Sequence, residues 1–201
     1  FINKFKNKLI ITGYKKNKLK KYIKKYNFRE IVNKNFQTTN MVHSLMLAKQ
    51  FLDKKNSIII CYGDILFDHK ISNFFIKENG NLMPVNYNWF NYWKKRMNLK
   101  KVKIDAEMIN IKKKKVISIG GKIGKKIPKY QYMGIFKLTN KSFNKMFLYY
   151  KKIDNKKIDM TTFLNLCLER KIISIRAQNY YGMWHEIDNY KDIKVAEEEL
   201  A

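Results

Sequence analysis

The residues best suited to chemistry lie in two short acidic segments. Ser57-Ile58-Ile59-Ile60-Cys61-Tyr62-Gly63-Asp64 is an apolar run ending in a glycine and a carboxylate. Such a run predicts a buried strand, and a Gly-Asp turn at its end puts a charge where an α/β sheet opens to its ligand. The second segment is Trp184-His185-Glu186-Ile187-Asp188. In an extended chain Glu186 and Asp188 share a face across Ile187. Hard cations such as magnesium take oxygen ligands and share them with phosphates, neutralising charge and orienting the transferred group. Each segment also has a plainer reading, as an ordinary strand-to-loop turn and as a solvated strand end with a helix cap. Their combination favours a metal-assisted nucleotide site.

Alternating strands and helices must position these groups. Strands are predicted over Lys8–Thr12, Arg29–Val32, Ser57–Cys61 (as a central strand), Asn81–Asn86, Glu107–Ile111, Val116–Ile119, Gln131–Lys137, Ile172–Arg176 and Trp184–Glu186. Apolar spacing predicts helices over Lys16–Lys25, Met41–Asp53, His69–Glu78, Phe143–Lys151, Met160–Glu169 and Asp192–Ala201. In the last of these an acid near the helix start is favourable. This alternation predicts an α/β sandwich in one domain spanning 1–201, with no repeat or long linker.

The 201 residues carry a formal charge of +27, which suggests a nucleic-acid footprint. Only four of the 43 basic residues are arginines (Arg29, Arg96, Arg170 and Arg176), leaving 39 lysines scattered along the chain. Base readout and phosphate forks favour arginine, so specific nucleic-acid recognition is disfavoured. A positive field that attracts a nucleoside triphosphate fits better. No apolar run is long enough to span a bilayer, and no basic-then-apolar leader is present, so a cytoplasmic protein is expected. Cys61 and Cys167 are expected as core thiols rather than a disulfide.

Six stretches carry a resemblance in order and spacing: Ile10-Ile11-Thr12-Gly13-Tyr14, Thr39 to Leu45, Tyr62-Gly63-Asp64, Asp105-Ala106-Glu107, Tyr130 to Ile135, and Trp184 to Asp188 with Asp192. Through them the chain resembles the nucleotidyltransferases that activate small phosphorylated compounds, nearest the choline-phosphate cytidylyltransferases of bacterial surface-polymer synthesis. The resemblance implies a Rossmann-like mixed sheet with helices on both faces. It implies that Asp64 and Asp188 are the catalytic, magnesium-binding carboxylates, that Asn40, Ser44 and Gly63 serve the nucleotide, and that Trp89, Glu107, Tyr132, Trp184 and Glu186 shape the acceptor pocket. The reaction implied is transfer of a cytidylyl group from CTP to a small phosphorylated alcohol or amine such as phosphocholine, releasing pyrophosphate, with a homo-oligomer possible.

Two departures qualify the match. Enzymes of this kind open with a Gly-rich basic loop ahead of the first strand read here, whereas Gly120-Gly121-Lys122 lies far downstream and is expected to be a turn. The chain, starting at Phe1, is therefore expected to be an N-terminally truncated piece lacking the usual first strand and loop, with an enzyme expected of the parent protein. Asn86 stands where relatives often carry an aspartate. A sugar-1-phosphate nucleotidyltransferase, a lysine-rich nucleic-acid-binding protein and a noncatalytic assembly protein are the competing readings.

Overall fold

The computed structural model describes residues 2–52, 56–124 and 126–200. The chain builds a mixed α/β fold around a sheet ordered β3-β9-β5-β10-β7-β6, with β8 paired to β5. Its strands are β3 (Ile58–Cys61), β5 (Leu82–Asn86), β6 (Glu107–Lys112), β7 (Lys115–Lys122), β8 (Gln131–Tyr132), β9 (Ile135–Leu138) and β10 (Arg176–Tyr180). The pairing of β5 with β10 is parallel, and the others in this sheet are antiparallel. Two smaller sheets complete the set: β1 (Leu9–Thr12) runs parallel to β2 (Arg29–Val32), and β4 (Ile65–Phe67) pairs antiparallel with β11 (Trp184–Glu186).

Helices cover both faces because the inner strands alternate. On β5, Met83 and Val85 enter one apolar cluster and Leu82 the other, and β9 divides Phe136 and Leu138 from Ile135 in the same way. The first cluster gathers α2 (Met41–Leu47), α6 (Asn140–Lys151) and α7 (Met160–Glu169) through Leu45, Met46, Phe143, Met146, Phe163 and Leu164. The second gathers α3 (Ile71–Lys77), α4 (Trp89–Arg96), α5 (Leu99–Asp105) and α8 (Tyr190–Leu200) through Ile71, Phe75, Trp89, Trp93, Val102 and Val195. The remaining helix, α1 (Lys20–Lys25), buries none of its residues. None of the described helices is long and apolar enough to cross a membrane.

Several expectations shift. The Ser57–Cys61 strand lies at the end of the sheet path rather than in its middle, so Cys61, at its tip, is exposed while Cys167 is buried. The Met41–Asp53 helix gives way to a 3-10 turn at Ala48–Phe51, and Asp53 lies outside the described residues, as does Ala201 of the last helix. Gly120 and Gly121 sit inside β7 at positive φ rather than in a turn. The last inner strand begins at Arg176, where the Ile172–Arg176 prediction ends.

The predicted Gln131–Lys137 strand is broken in two at Gly134. That residue has φ of +70°, and a Cβ there would lie 3.0 Å from the Tyr62 ring. Only glycine accepts both conditions without strain. Its carbonyl accepts from the Tyr62 N–H at 2.9 Å, which ties the break to the chain leading into Asp64.

Candidate active site

The two acidic segments meet. Gly63 and Asp64 form the turn from β3 into β4, and β4 pairs with β11 so that Glu186 stands opposite Ile65. One step further, the Ile187 N–H donates to the Asp64 carbonyl at 2.8 Å. Asp64 therefore lies just before β4 and Asp188 just past β11, at the same end of one ribbon, and both are exposed.

Behind them stands a residue the sequence reading passed over. Trp89, Tyr92, Trp93 and Arg96 recur at i, i+3, i+4 and i+7 on α4, and all four are buried. Arg96, with 1% of its side chain exposed, reaches Glu186 through Nη1 at 3.3 Å, Asp188 through Nη2 at 2.5 Å, and Asp192 through Nε and Nη2 at 3.0 Å each. Asp192 lies in the first turn of α8, is almost fully buried, and accepts from the Asp188 and Asn189 N–H groups as well as from Arg96. Burial pulls its carboxyl up, but the Arg96 hydrogen bonds outweigh that and hold it below the usual range. Glu186 goes the other way. Burial, reinforced by Asp188, pushes it up to about 7 against the pull of Arg96. The signal that would have found Arg96 was its place on the apolar stripe, since a cation at i+7 must bury with its anions.

Beside this cluster opens a cavity of about 210 Å³, lined by Tyr62, Trp93, Arg96, Met97, Asp105, Glu107, Gln131, Tyr132, Gly134, Thr161, Glu186 and Asp188. Asp105 ends α5 and Glu107 begins β6, so the break between them delivers two carboxylates to one wall. The Thr161 hydroxyl lies 2.9 Å from Glu107 Oε1 and 3.0 Å from Asp159 Oδ1, one proton between two carboxylates. Burial raises the Glu107 carboxyl despite the contact with Thr161. The Tyr62 and Tyr132 rings meet edge to face at 5.8 Å. In a chain of +27, four carboxylates and one fully engaged arginine make this cavity an acidic, aromatic pocket.

The other expected residues fall elsewhere. Trp89 and Trp184 lie one ring behind the cavity in the core. Trp89 donates to the Pro128 carbonyl and meets Trp93 edge-on at 5.3 Å, while Trp184 donates to the Met133 carbonyl and stacks on Trp93 at 6.4 Å. Asn40 caps α2 and donates to the Lys157 carbonyl, and the Ser44 hydroxyl accepts from Asn33. Gly63 is exposed, with open space where a Cβ would stand. Asn86 is buried and donates to the Gly182 carbonyl, a bond an aspartate could not make, so its amide closes the backbone here. Among the described residues no cluster of three or more His, Cys, Asp or Glu side chains could hold a metal. Asp64 and Asp188 offer the one or two carboxylate oxygens with which magnesium is commonly shared between protein and phosphates.

The architecture is that of the nucleotidyltransferases. The chain is similar to the CTP:phosphocholine cytidylyltransferase of Streptococcus pneumoniae, with a TM-score of 0.73 and 17% identity over 97% of this chain and 78% of that one. It is also similar to the inositol-1-phosphate CTP transferase of T. maritima, with a TM-score of 0.70 and 18% identity over 94% and 74%. Among curated proteins, the CTP:phosphoglutamine cytidylyltransferase of Campylobacter jejuni subsp. jejuni is 29% identical over 92% of this chain and 79% of its own length. No protein-family model matches the chain. The chain thus shares the fold of these solved structures and is similar in sequence to a curated cytidylyltransferase.

Proposed function

We propose that the chain acts as a cytidylyltransferase that transfers a cytidylyl group from CTP to a small phosphorylated compound bearing a cationic head. The observation that carries this reading is that the β4–β11 ribbon joins the Asp64 and Asp188 segments, with Asp188 on the wall of an acidic, aromatic cavity. At about 210 Å³ the cavity is smaller than the roughly 300–1,000 Å³ of pockets that enclose drug-sized ligands, which suits a small head group. Asp105, Glu107 and Glu186 would balance its positive charge, and the Tyr62, Tyr132 and Trp93 rings offer π faces to it.

In the reaction an acceptor phosphate oxygen attacks the α-phosphorus of CTP in line. The bond to the β-phosphate bridge oxygen breaks, and its electron pair leaves with pyrophosphate. The acceptor phosphate is itself the nucleophile, so His43, His69 and His185 need take no part. Asp64 and Asp188 would hold a magnesium ion, which when bound neutralises phosphate charge. Arg96 fixes the Asp188 carboxylate in place beforehand, so that little reorganisation is left for the moment of transfer. The cavity wall holds the head group and so aims the phosphate, and the surface lysines raise the local concentration of the triphosphate.

The test supplies CTP, magnesium and a panel of phosphorylated amines, with sugar 1-phosphates and UTP as comparators, and measures pyrophosphate release. Release with CTP and a phosphorylated amine is expected. A folded protein that releases none with any acceptor overturns the reading, and a preference for sugar 1-phosphates moves it to the sugar-nucleotide branch.

A further inference from the structure

Thr161 stands where the cavity wall meets the first turn of α7, and its hydroxyl has one proton for two carboxylates. Asp159 has both oxygens supplied without it, Oδ1 by the Thr162 N–H and Oδ2 by the Thr162 hydroxyl, each at 2.8 Å. Glu107, half-buried, accepts from no other donor among the described residues, and its Oε1 lies 2.9 Å from the Thr161 hydroxyl. The proton therefore does most on Glu107. Packing fixes it there. Gly120 of β7, at φ of +92°, comes so close that a Cβ would stand 3.4 Å from the Thr161 Cβ, and β7 is the strand paired with the Glu107 strand. The other charged and titratable neighbours of Glu107 do not replace this donor. Asp105, Glu186 and Asp188 in the cavity lining are anions, and Arg96 is engaged by its own three. Neither the Tyr62 nor the Tyr132 hydroxyl bonds to it, and Lys122, opposite it on β7, is exposed.

Resting on the proposed transferase reading, the structure assigns Thr161 as a positioning residue that holds the Glu107 carboxylate ionised and in place for the cationic head of the acceptor. Thr161 acts through Glu107 and need bond no head group itself. A hydrogen bond to a carboxylate favours its charged form, whereas burial and the nearby Asp159 charge favour the neutral one, and Thr161 works against both. Loss of the hydroxyl raises the carboxyl further. The neutral form then persists to still higher pH, and over that range a cation entering the cavity loses its counter-charge.

Carboxyl-carbon NMR of the full chain, with the Glu107 signal assigned by its loss in Glu107→Gln, reads the titration midpoint directly. Calorimetry with O-phosphoethanolamine reads binding across pH, and pyrophosphate release with CTP reads turnover. Thr161→Val is expected to raise the midpoint by about one to two pH units, the size of one hydrogen bond to a charged group. Below the wild-type midpoint, phosphoethanolamine should then bind up to about ten- to a hundred-fold more weakly, and above the raised midpoint the two affinities should converge. Thr161→Ser, which keeps the hydroxyl, should match wild type, and Thr161→Ala should match Thr161→Val. Thermal melts establish that each variant is folded. A midpoint unmoved in Thr161→Val and Thr161→Ala overturns the role of Thr161, as does a moved midpoint with unchanged phosphoethanolamine affinity. So does an affinity loss that persists undiminished when Thr161→Val is placed on Glu107→Gln. Phosphoethanolamine bound with the expected dependence on Thr161, but no pyrophosphate released with any acceptor, removes the transferase reading and leaves Thr161 its role in amine binding. Wild-type protein that binds no phosphoethanolamine removes the inference.

Discussion

Arg96 grips Asp192 through two parallel hydrogen bonds, Nε to Oδ1 and Nη2 to Oδ2, both at 3.0 Å, with 1% and 2% of the two side chains exposed. The fork fixes α4 against α8, and its remaining donors reach forward to Glu186 and Asp188. One buried guanidinium thus connects the packing of two helices to the orientation of the exposed carboxylate at the site.

Arg96→Ala leaves Asp192 and Glu186 uncompensated, and breaking a buried pair from one side costs about 3–5 kcal/mol. Arg96→Lys should recover only part of this, because an ammonium cannot make the fork. Urea denaturation measures both. Wild-type stability in Arg96→Ala would show that the cluster holds nothing together.

Asp64→Asn and Asp188→Asn should each depress turnover beyond the roughly 10–100-fold seen when mere partners of a metal ligand are removed. Asp64 is exposed, so the unfolding free energy of Asp64→Asn should stay within about 0.5 kcal/mol of wild type, while Asp188→Asn, which removes one of the three anions around buried Arg96, should cost more. Binding of manganese, followed by paramagnetic resonance, should weaken in parallel. Full activity in either variant would remove that residue from the metal site.

Glu107 supplies a pH dependence with a defined sign. Burial raises its carboxyl, so the neutral form persists to higher pH than for an ordinary glutamate, and a cationic head needs the ionised form. Affinity for a phosphorylated amine should therefore rise with pH through a midpoint above the ordinary value. The acceptor phosphate titrates as well, and the difference from Glu107→Gln isolates the protein group. Superimposable pH profiles for the two proteins would contradict the assignment.

Asp159 caps α7, accepting from the Thr162 N–H and hydroxyl at 2.8 Å each. Burial pulls its carboxyl up, but these bonds and that from Thr161 win and hold it below its usual range. A depressed carboxylate contributes stability that is complete above its unfolded value, about 3.9, and is lost as pH falls through the folded value. Asp159→Ala should cost about 1 kcal/mol near neutrality, and the gap should close on acidification. A gap that is constant with pH would mean the cap does not act through its charge.

Much of this arrangement was legible in the sequence. The apolar run into Gly63-Asp64 and the alternation in Glu186-Ile187-Asp188 sufficed to put both segments at strand ends, and the structure joins them. Glu107 and Tyr132, named from the resemblance, lie on the cavity wall. Other features depended on contacts between distant segments. Trp89 and Trp184 look the same in sequence whether they line a pocket or stand one ring behind it, and only Trp93 in front of them decides. Arg96 resembled one more surface cation in a lysine-rich chain, because its three anions arrive from residues 186–192. The break at Gly134 depends on a close approach by Tyr62, which no local pattern records.

The ribbon of β4 and β11 closes a loop on the order of 100 residues, while much of the main sheet forms from nearer neighbours such as β6 and β7. Contacts of such long range are slow to form. On the ribosome, where domains fold as the chain emerges, a nascent chain lacking residues 184–192 can assemble the first apolar cluster but has no acidic pair. Maturation should accordingly proceed in two stages, a packed intermediate without competence followed by a docking step that creates it. Truncation or strain in the last strand and helix would then yield protein that accumulates in the cell yet does nothing.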